Sequence, residues 1–213
     1  MGAARGALEN RVIEVRIERK RFGRTPVLGR LAFSLAPGES VALVGPSGIG
    51  KSTLLRIVSG IDRDFDGEVT RPDTLAMVFQ EPTLLPWRSA VDNLRTVHPG
   101  LGLHEAGEAL AQVGLAGKED FYPGQLSLGQ QRRLALARAF VGKPDFLIMD
   151  EPFVSLDAQT AQNMLTLTER LIVRHRPSVL FVTHDESEAR RLSSRVLRMK
   201  AGQNGAVLEP HAT

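Results

Sequence analysis

The chain has 213 residues, 42% hydrophobic and 24% charged, enough to bury a full core as one α/β domain with a smaller lobe. Lys and Arg number 27 against 24 Asp and Glu, and a net charge of +3 gives no electrostatic footprint for nucleic acid, so no nucleic-acid partner is expected. The absence of cysteine excludes a disulfide framework, no run approaches the roughly 18–20 apolar residues of a membrane span, and residues 1–8 lack a signal peptide's apolar core.

Residues 11–19 alternate strictly, with Ile13, Val15 and Ile17 on one face and Glu14, Arg16 and Glu18 on the other. That pattern predicts a half-buried strand, and a second follows at Leu31, Phe33 and Leu35. Pro37-Gly38 turns the chain into a short apolar strand at residues 41–44. Next come Gly45, Pro46, Ser47, Gly48, Ile49, Gly50, Lys51 and Ser52, a complete GxxxxGK[ST] pattern. Thr53 then opens an amphipathic stretch closed by Gly60, read as a helix with a glycine cap. Strand, glycine-rich turn and helix in that order make a phosphate loop. The glycines let backbone N–H groups curl inward, and the helix N-terminus adds partial positive charge. Lys51 supplies a full charge for the β- and γ-phosphates, and the Ser52 hydroxyl is placed to ligate Mg²⁺. A bound nucleoside triphosphate is the expectation.

Short apolar runs at residues 75–79, 146–149 and 179–182 read as buried parallel strands joined by helices. Between Pro82 and Gly142 helical signals dominate. The expectation is a single domain over residues 1–213: an α/β core at about 11–81 and 143–213, with an inserted helical subdomain at about 82–142. The strand at 146–149 delivers Asp150-Glu151-Pro152 at its C-terminal end, the edge where open α/β sheets bind ligands. Asp150 suits a Mg²⁺-holding role and Glu151 a base that polarises the attacking water. Ser127 and Gln130 have the spacing of a capping box, opening a helix through Leu134, Ala137 and Val141.

Together these motifs resemble the ATP-binding cassette (ABC) ATPases over about residues 12–199. The decisive segment is Leu126-Ser127-Leu128-Gly129-Gln130, similar to the family's signature. The resemblance implies a P-loop NTPase core, a mixed sheet with flanking helices, carrying the inserted helical subdomain. It implies ATP and Mg²⁺ as cofactors, and a two-fold dimer in which Ser127, Gly129 and Gln130 face the γ-phosphate held by a second copy. Gln80 matches the glutamine that contacts Mg²⁺ and the attacking water, Asp157 the loop crossing the dimer interface, and His184 the histidine that contacts the γ-phosphate. Phe22 is the candidate aromatic for stacking on adenine; packing in the core is its other reading. Leu128 departs from the glycine most often found there, and the chain stops soon after a strand at residues 195–199 with no C-terminal regulatory domain expected.

Residues 78–94, with Leu84, Leu85 and Trp87 between prolines, look like the ATPases of bacterial importers for nitrate, alkyl sulfonates or taurine; importers of thiamine precursors share the style. The resemblance then implies a membrane permease docking at this loop, a periplasmic or extracellular solute-binding protein, and a peripheral location on the cytoplasmic face of the membrane. An exposed apolar cluster suggests such a partner, with Trp87 as the anchor; a small core of the helical lobe is the alternative. A non-transport ABC ATPase acting on nucleic acid or ribosomes is the alternative function, and such proteins usually carry a long coiled coil or a second cassette.

Overall fold

A computed structural model describes residues 12–209; the expected strand start at Arg11 and the reading of residues 1–8 lie outside them. The chain forms two compact units. One holds the chain through Met77, with Asp145–Glu151 and the segment from Pro177 onward; the other holds Val78–Pro144 and Pro152–Arg176.

In the first unit, β1 (Ile13–Phe22) is a central strand. It pairs antiparallel with β2 (Thr25–Leu28), β3 (Leu31–Leu35) and β5 (Asp66–Thr70). Ile13, Val15 and Ile17 are fully buried and Glu14 and Arg16 exposed, as the alternation predicts. The register then shifts between Ile17 and Arg19 and again between Lys20 and Arg21. Irregularities of this kind re-aim side chains, and here Lys20, not Arg19, turns inward. The strand continues to Phe22, past the alternating run that marks it in sequence.

The second sheet has the order β10-β9-β4-β8-β7-β6. Its strands are β4 (Ser40–Val44), β6 (Leu75–Val78), β7 (Phe146–Asp150), β8 (Ser178–Val182), β9 (Arg195–Lys200) and β10 (Val207–Leu208). β4 runs parallel to β8 and β9, and β8 parallel to β7. Strands β4, β7 and β8 are buried almost end to end, because a parallel sheet covered on both faces needs apolar side chains pointing both ways. Helix α1 (Lys51–Ser59) packs Leu54, Leu55, Ile57 and Val58 into a core shared with Leu43, Phe146, Ile148 and Leu180. Each such fully buried side chain stabilises the fold by about 1.5–3 kcal/mol. Gly60 caps α1 in the left-handed conformation, its N–H donating to the Ile57 carbonyl. With β8 between β4 and β7, the loops after these three strands open on one edge of the sheet.

The second unit contains α2 (Ala90–Val97), α3 (Leu103–Gln112), α4 (Leu128–Val141) and α5 (Ala158–His175). Helices α2, α3 and α4 pack on one another and α4 also packs on α5, around buried Leu94, Leu110, Leu134 and Phe140.

Candidate functional site: the phosphate loop and strand edge

Strand β4 ends at Val44 and α1 begins at Lys51, two residues before the apolar stretch that marks the helix in sequence. The loop between them closes on itself, with the Ile49 N–H donating to the Pro46 carbonyl at 3.3 Å and the Leu54 N–H to Gly50 at 2.9 Å. Gly50 takes φ 110°, and a Cβ there would lie 2.9 Å from the Leu28 side chain, so only glycine fits. Lys51 is largely buried, and its Nζ donates to the carbonyls of Gly45 (2.8 Å) and Pro46 (3.0 Å). The ammonium therefore spans the loop that the N-terminus of α1 faces, concentrating positive charge for an anion.

Asp150 ends β7, and the Ser52 hydroxyl donates to its Oδ1 at 3.3 Å. Burial pushes the Asp150 carboxyl above the ordinary aspartate range, the Ser52 hydrogen bond pulls it back, and the neighbouring Glu151 charge raises it again. A hydroxyl beside a carboxylate is an all-oxygen donor pair of the kind that suits Mg²⁺, which takes one or two protein ligands with phosphates and water completing its shell.

Glu151 sits at φ 45°, a left-handed conformation rare for a non-glycine residue, and its N–H donates to the Val182 carbonyl at 3.0 Å. Its Oε2 lies 3.7 Å from Nδ1 of His184, which follows β8. The turn carrying His184 is fixed by its neighbours. The Thr183 hydroxyl bonds Glu188, and Asp185 caps α6 (Glu186–Leu192) by accepting from the Ser187 N–H at 2.7 Å. Val44, Gly45, Pro46, Ser47 and His184 line one cavity of about 430 Å³. Lys51, Ser52, Asp150, Glu151 and His184 thus form one constellation within the first unit, able to hold a polyphosphate and to place a carboxylate beside its end. Phe22 stands at the end of β1, 55% exposed, which sets aside its reading as core packing.

The remaining sequence candidates lie in the second unit. Gln80 is exposed just after β6. Ser127 forms the expected capping box: its Oγ accepts from the Gln130 N–H at 3.3 Å, and Gln130 Oε1 accepts from the Ser127 N–H at 3.0 Å. Asp157 caps α5 by accepting from the Thr160 N–H at 3.0 Å. A Cβ on Gly129 would come within 3.1 Å of the Thr160 methyl, so the signature glycine lies against the first turn of the helix Asp157 opens. Leu128 is 45% exposed.

Trp87 is 68% exposed while Leu84 and Leu85 are half-buried, so Trp87 does not belong to a lobe core. Two residues absent from the sequence reading hold this loop. Fully buried Asn93 accepts from the Leu85 N–H at 2.8 Å and donates to the carbonyls of Leu85, Arg88 and Ser89. Arg138 donates to the carbonyls of Pro82 and Thr83. Only an amide standing in the apolar stripe of Ala90, Val91 and Leu94 marked Asn93 in the sequence.

Residues 28–154 match the ABC transporter family. The aliphatic sulfonates import ATP-binding protein SsuB 2 of Rhodococcus jostii is 46% identical over 199 residues, 92% of this chain and 82% of its own. The SsuB 1 protein of the same description from Frankia alni is 47% identical over 192 residues, 90% of this chain and 72% of its own. Among solved structures, the ATP-binding cassette MJ0796, a dimer in a post-hydrolysis state bound to ADP and Pi, superposes with a TM-score of 0.78 at 28% identity, covering 93% of this chain and 97% of that one. These matches agree with the phosphate loop, the Asp150–Glu151 edge and the Ser127 helix start: the chain belongs to the ABC transporter family and is one of its ATP-binding, ATP-hydrolysing cassettes.

Proposed function

We propose that this cassette is the motor subunit of an importer for aliphatic sulfonates or chemically similar small solutes such as taurine or nitrate. The observation that carries this reading is the 46% identity to an aliphatic sulfonate import ATP-binding protein over 92% of the chain. Two copies close around two ATP, and closure drives a membrane permease that a solute-binding protein supplies. A two-fold axis makes the contact reciprocal, so one interface builds both sites.

Within each copy Gly45, Pro46, Ser47, Gly48, Ile49, Gly50, Lys51, Ser52 and Thr53 cradle the phosphates, and Phe22 stacks on the base. Ser52 and Asp150, with Gln80, would hold Mg²⁺, which would supply positive charge against the phosphates. Glu151 takes the proton of the attacking water, and His184, 3.7 Å from it, steadies the γ-phosphate. The sister copy presents Ser127, Gly129 and Gln130 to that phosphate, with Asp157 crossing the interface. The chain lies peripherally on the cytoplasmic face, held by the permease at Leu84, Leu85 and Trp87; among the described residues no helix is long and apolar enough to cross a membrane.

The test is reconstitution of the full chain in proteoliposomes with the permease and solute-binding protein of a sulfonate importer. ATP hydrolysis and uptake should rise with an alkanesulfonate, compared in parallel with taurine and nitrate. Uptake that responds to none of the three would overturn the solute class, and purification with nucleic acid in place of a permease would overturn the transport reading.

A further inference from the structure

Lys20 is 2% exposed, on a strand whose neighbouring Arg19 and Arg21 face solvent. A lysine ammonium is almost never fully buried without partners, because losing its hydration is costly. Lys20 Nζ meets Asp62 Oδ2 at 2.9 Å and Oδ1 at 3.0 Å, the Asp64 carbonyl at 2.5 Å and Asp64 Oδ2 at 3.3 Å. Burial pulls its pKa down, but the hydrogen bonds it donates to Asp62 and Asp64 outweigh that, together with their charges, and hold it above the ordinary lysine value. The charge is therefore permanent at neutral pH.

Two features give this buried charge a direction. Its Nζ lies 4.7 Å from the centroid of the Phe22 ring, within cation–π range, while that ring keeps exposed surface. The carboxylates it grips belong to the loop that leaves α1: the Asp62 N–H donates to the Arg56 carbonyl of that helix at 3.0 Å, and the Asp64 N–H to Asp62 Oδ1 at 3.0 Å. Through Lys20 the ring at the end of β1 is tied to the helix whose other end faces the phosphates. A cation against one face of an aromatic ring also draws electron density from it, favouring an electron-rich purine on the other.

We propose that Lys20 is a positioning residue for adenine: it fixes the Phe22 ring at a set distance from the phosphate loop and polarises it for stacking, so that it contributes base affinity without touching the nucleotide. This rests on the assignment of Phe22 as the base-stacking residue.

The test measures the affinities of the full chain for Mg-ATP and for Mg-bound inorganic triphosphate by calorimetry, in the parent, Lys20→Met, Lys20→Arg, Phe22→Ala and the Lys20→Met/Phe22→Ala double variant. Inorganic triphosphate engages the phosphate loop alone and reports a folded site in every sample. Phe22→Ala should weaken ATP and spare triphosphate. Lys20→Met should weaken ATP about two- to fivefold, as expected for one cation–π contact, again sparing triphosphate. The double variant should be no weaker than Phe22→Ala alone, and Lys20→Arg should restore much of the loss. If Phe22→Ala weakens ATP but Lys20→Met leaves the ratio of the two affinities at the parent value, the Lys20 inference fails while the stacking assignment stands. If Phe22→Ala has no effect, the stacking assignment fails and the inference with it. Loss of both ligands together in Lys20→Met would show a purely structural role and also overturn it.

Discussion

The two units use polar residues in opposite ways. In the first, functional side chains act on one another: Lys51 crosses its own loop, Ser52 reaches Asp150, and Glu151 stands beside His184. In the second, the candidates are satisfied locally yet remain at the surface: Ser127 and Asp157 each cap a helix, and Leu128 and Trp87 are exposed. The first arrangement is proposed to cradle a polyphosphate with residues of its own unit. The second has fixed geometry at the surface, as the proposed contact with a sister copy requires.

The sharpest way to break this contrast is at Lys51. Lys51→Ala should abolish Mg-ATP binding, because backbone dipoles alone would then face the phosphate charge. Thermal-shift measurement reads it directly, since bound ligand raises apparent stability; a variant that keeps the ATP-dependent shift would contradict the site. Next in size is Glu151→Gln, which keeps shape but cannot take a proton. Steady-state hydrolysis should fall by about a hundredfold or more while binding survives. Normal turnover would remove Glu151 from the role of base.

In the second unit the larger effect should appear with a partner, and only a small one in the isolated chain. Trp87→Ala should weaken permease capture by about 2 kcal/mol, the scale of a buried aromatic anchor. Its melting temperature should barely move, because an exposed side chain leaves no cavity and surface substitutions usually stay within about 0.5 kcal/mol. A destabilised variant that still binds permease would reverse that assignment. Smallest of all, Ser127→Ala should cost about 1 kcal/mol through the lost helix cap. Chemical denaturation checks it, and a cost near zero would mean that the capping contact is not holding the start of α4.

How much of this could be read beforehand follows the same division. The phosphate loop and the acidic strand end were legible because each is a local pattern, a strand and then a chemical group at its C-terminal end; His184 was picked out only by the family resemblance. The capping box was legible because a cap is defined over four residues. Strand β5 was not, because Asp66–Thr70 carries little buried apolar surface and is made a strand by its partner β1. Lys20 was hidden by the register shifts: counted in twos from Ile13 it belongs on the polar face, and only the irregularity turns it inward. Asn93 and Arg138 were missed for a related reason. Their partners are backbone carbonyls, and no side-chain pattern announces those. The grouping of α5 with the helical unit likewise depends on packing against α4, which sequence spacing does not encode.

The central claim is that the exposed start of α4 completes the ATP site of a second copy. Light scattering after size exclusion tests it in two hydrolysis-blocked proteins, Glu151→Gln alone and Glu151→Gln with Ser127→Arg, each with Mg-ATP and with bound nucleotide assayed in the eluted peak. The account predicts a dimer for the first, and for the second a monomer that still carries ATP, because a bulky cation at the cap obstructs only the contact between copies. A double variant that dimerises with ATP as fully as the single one would contradict it.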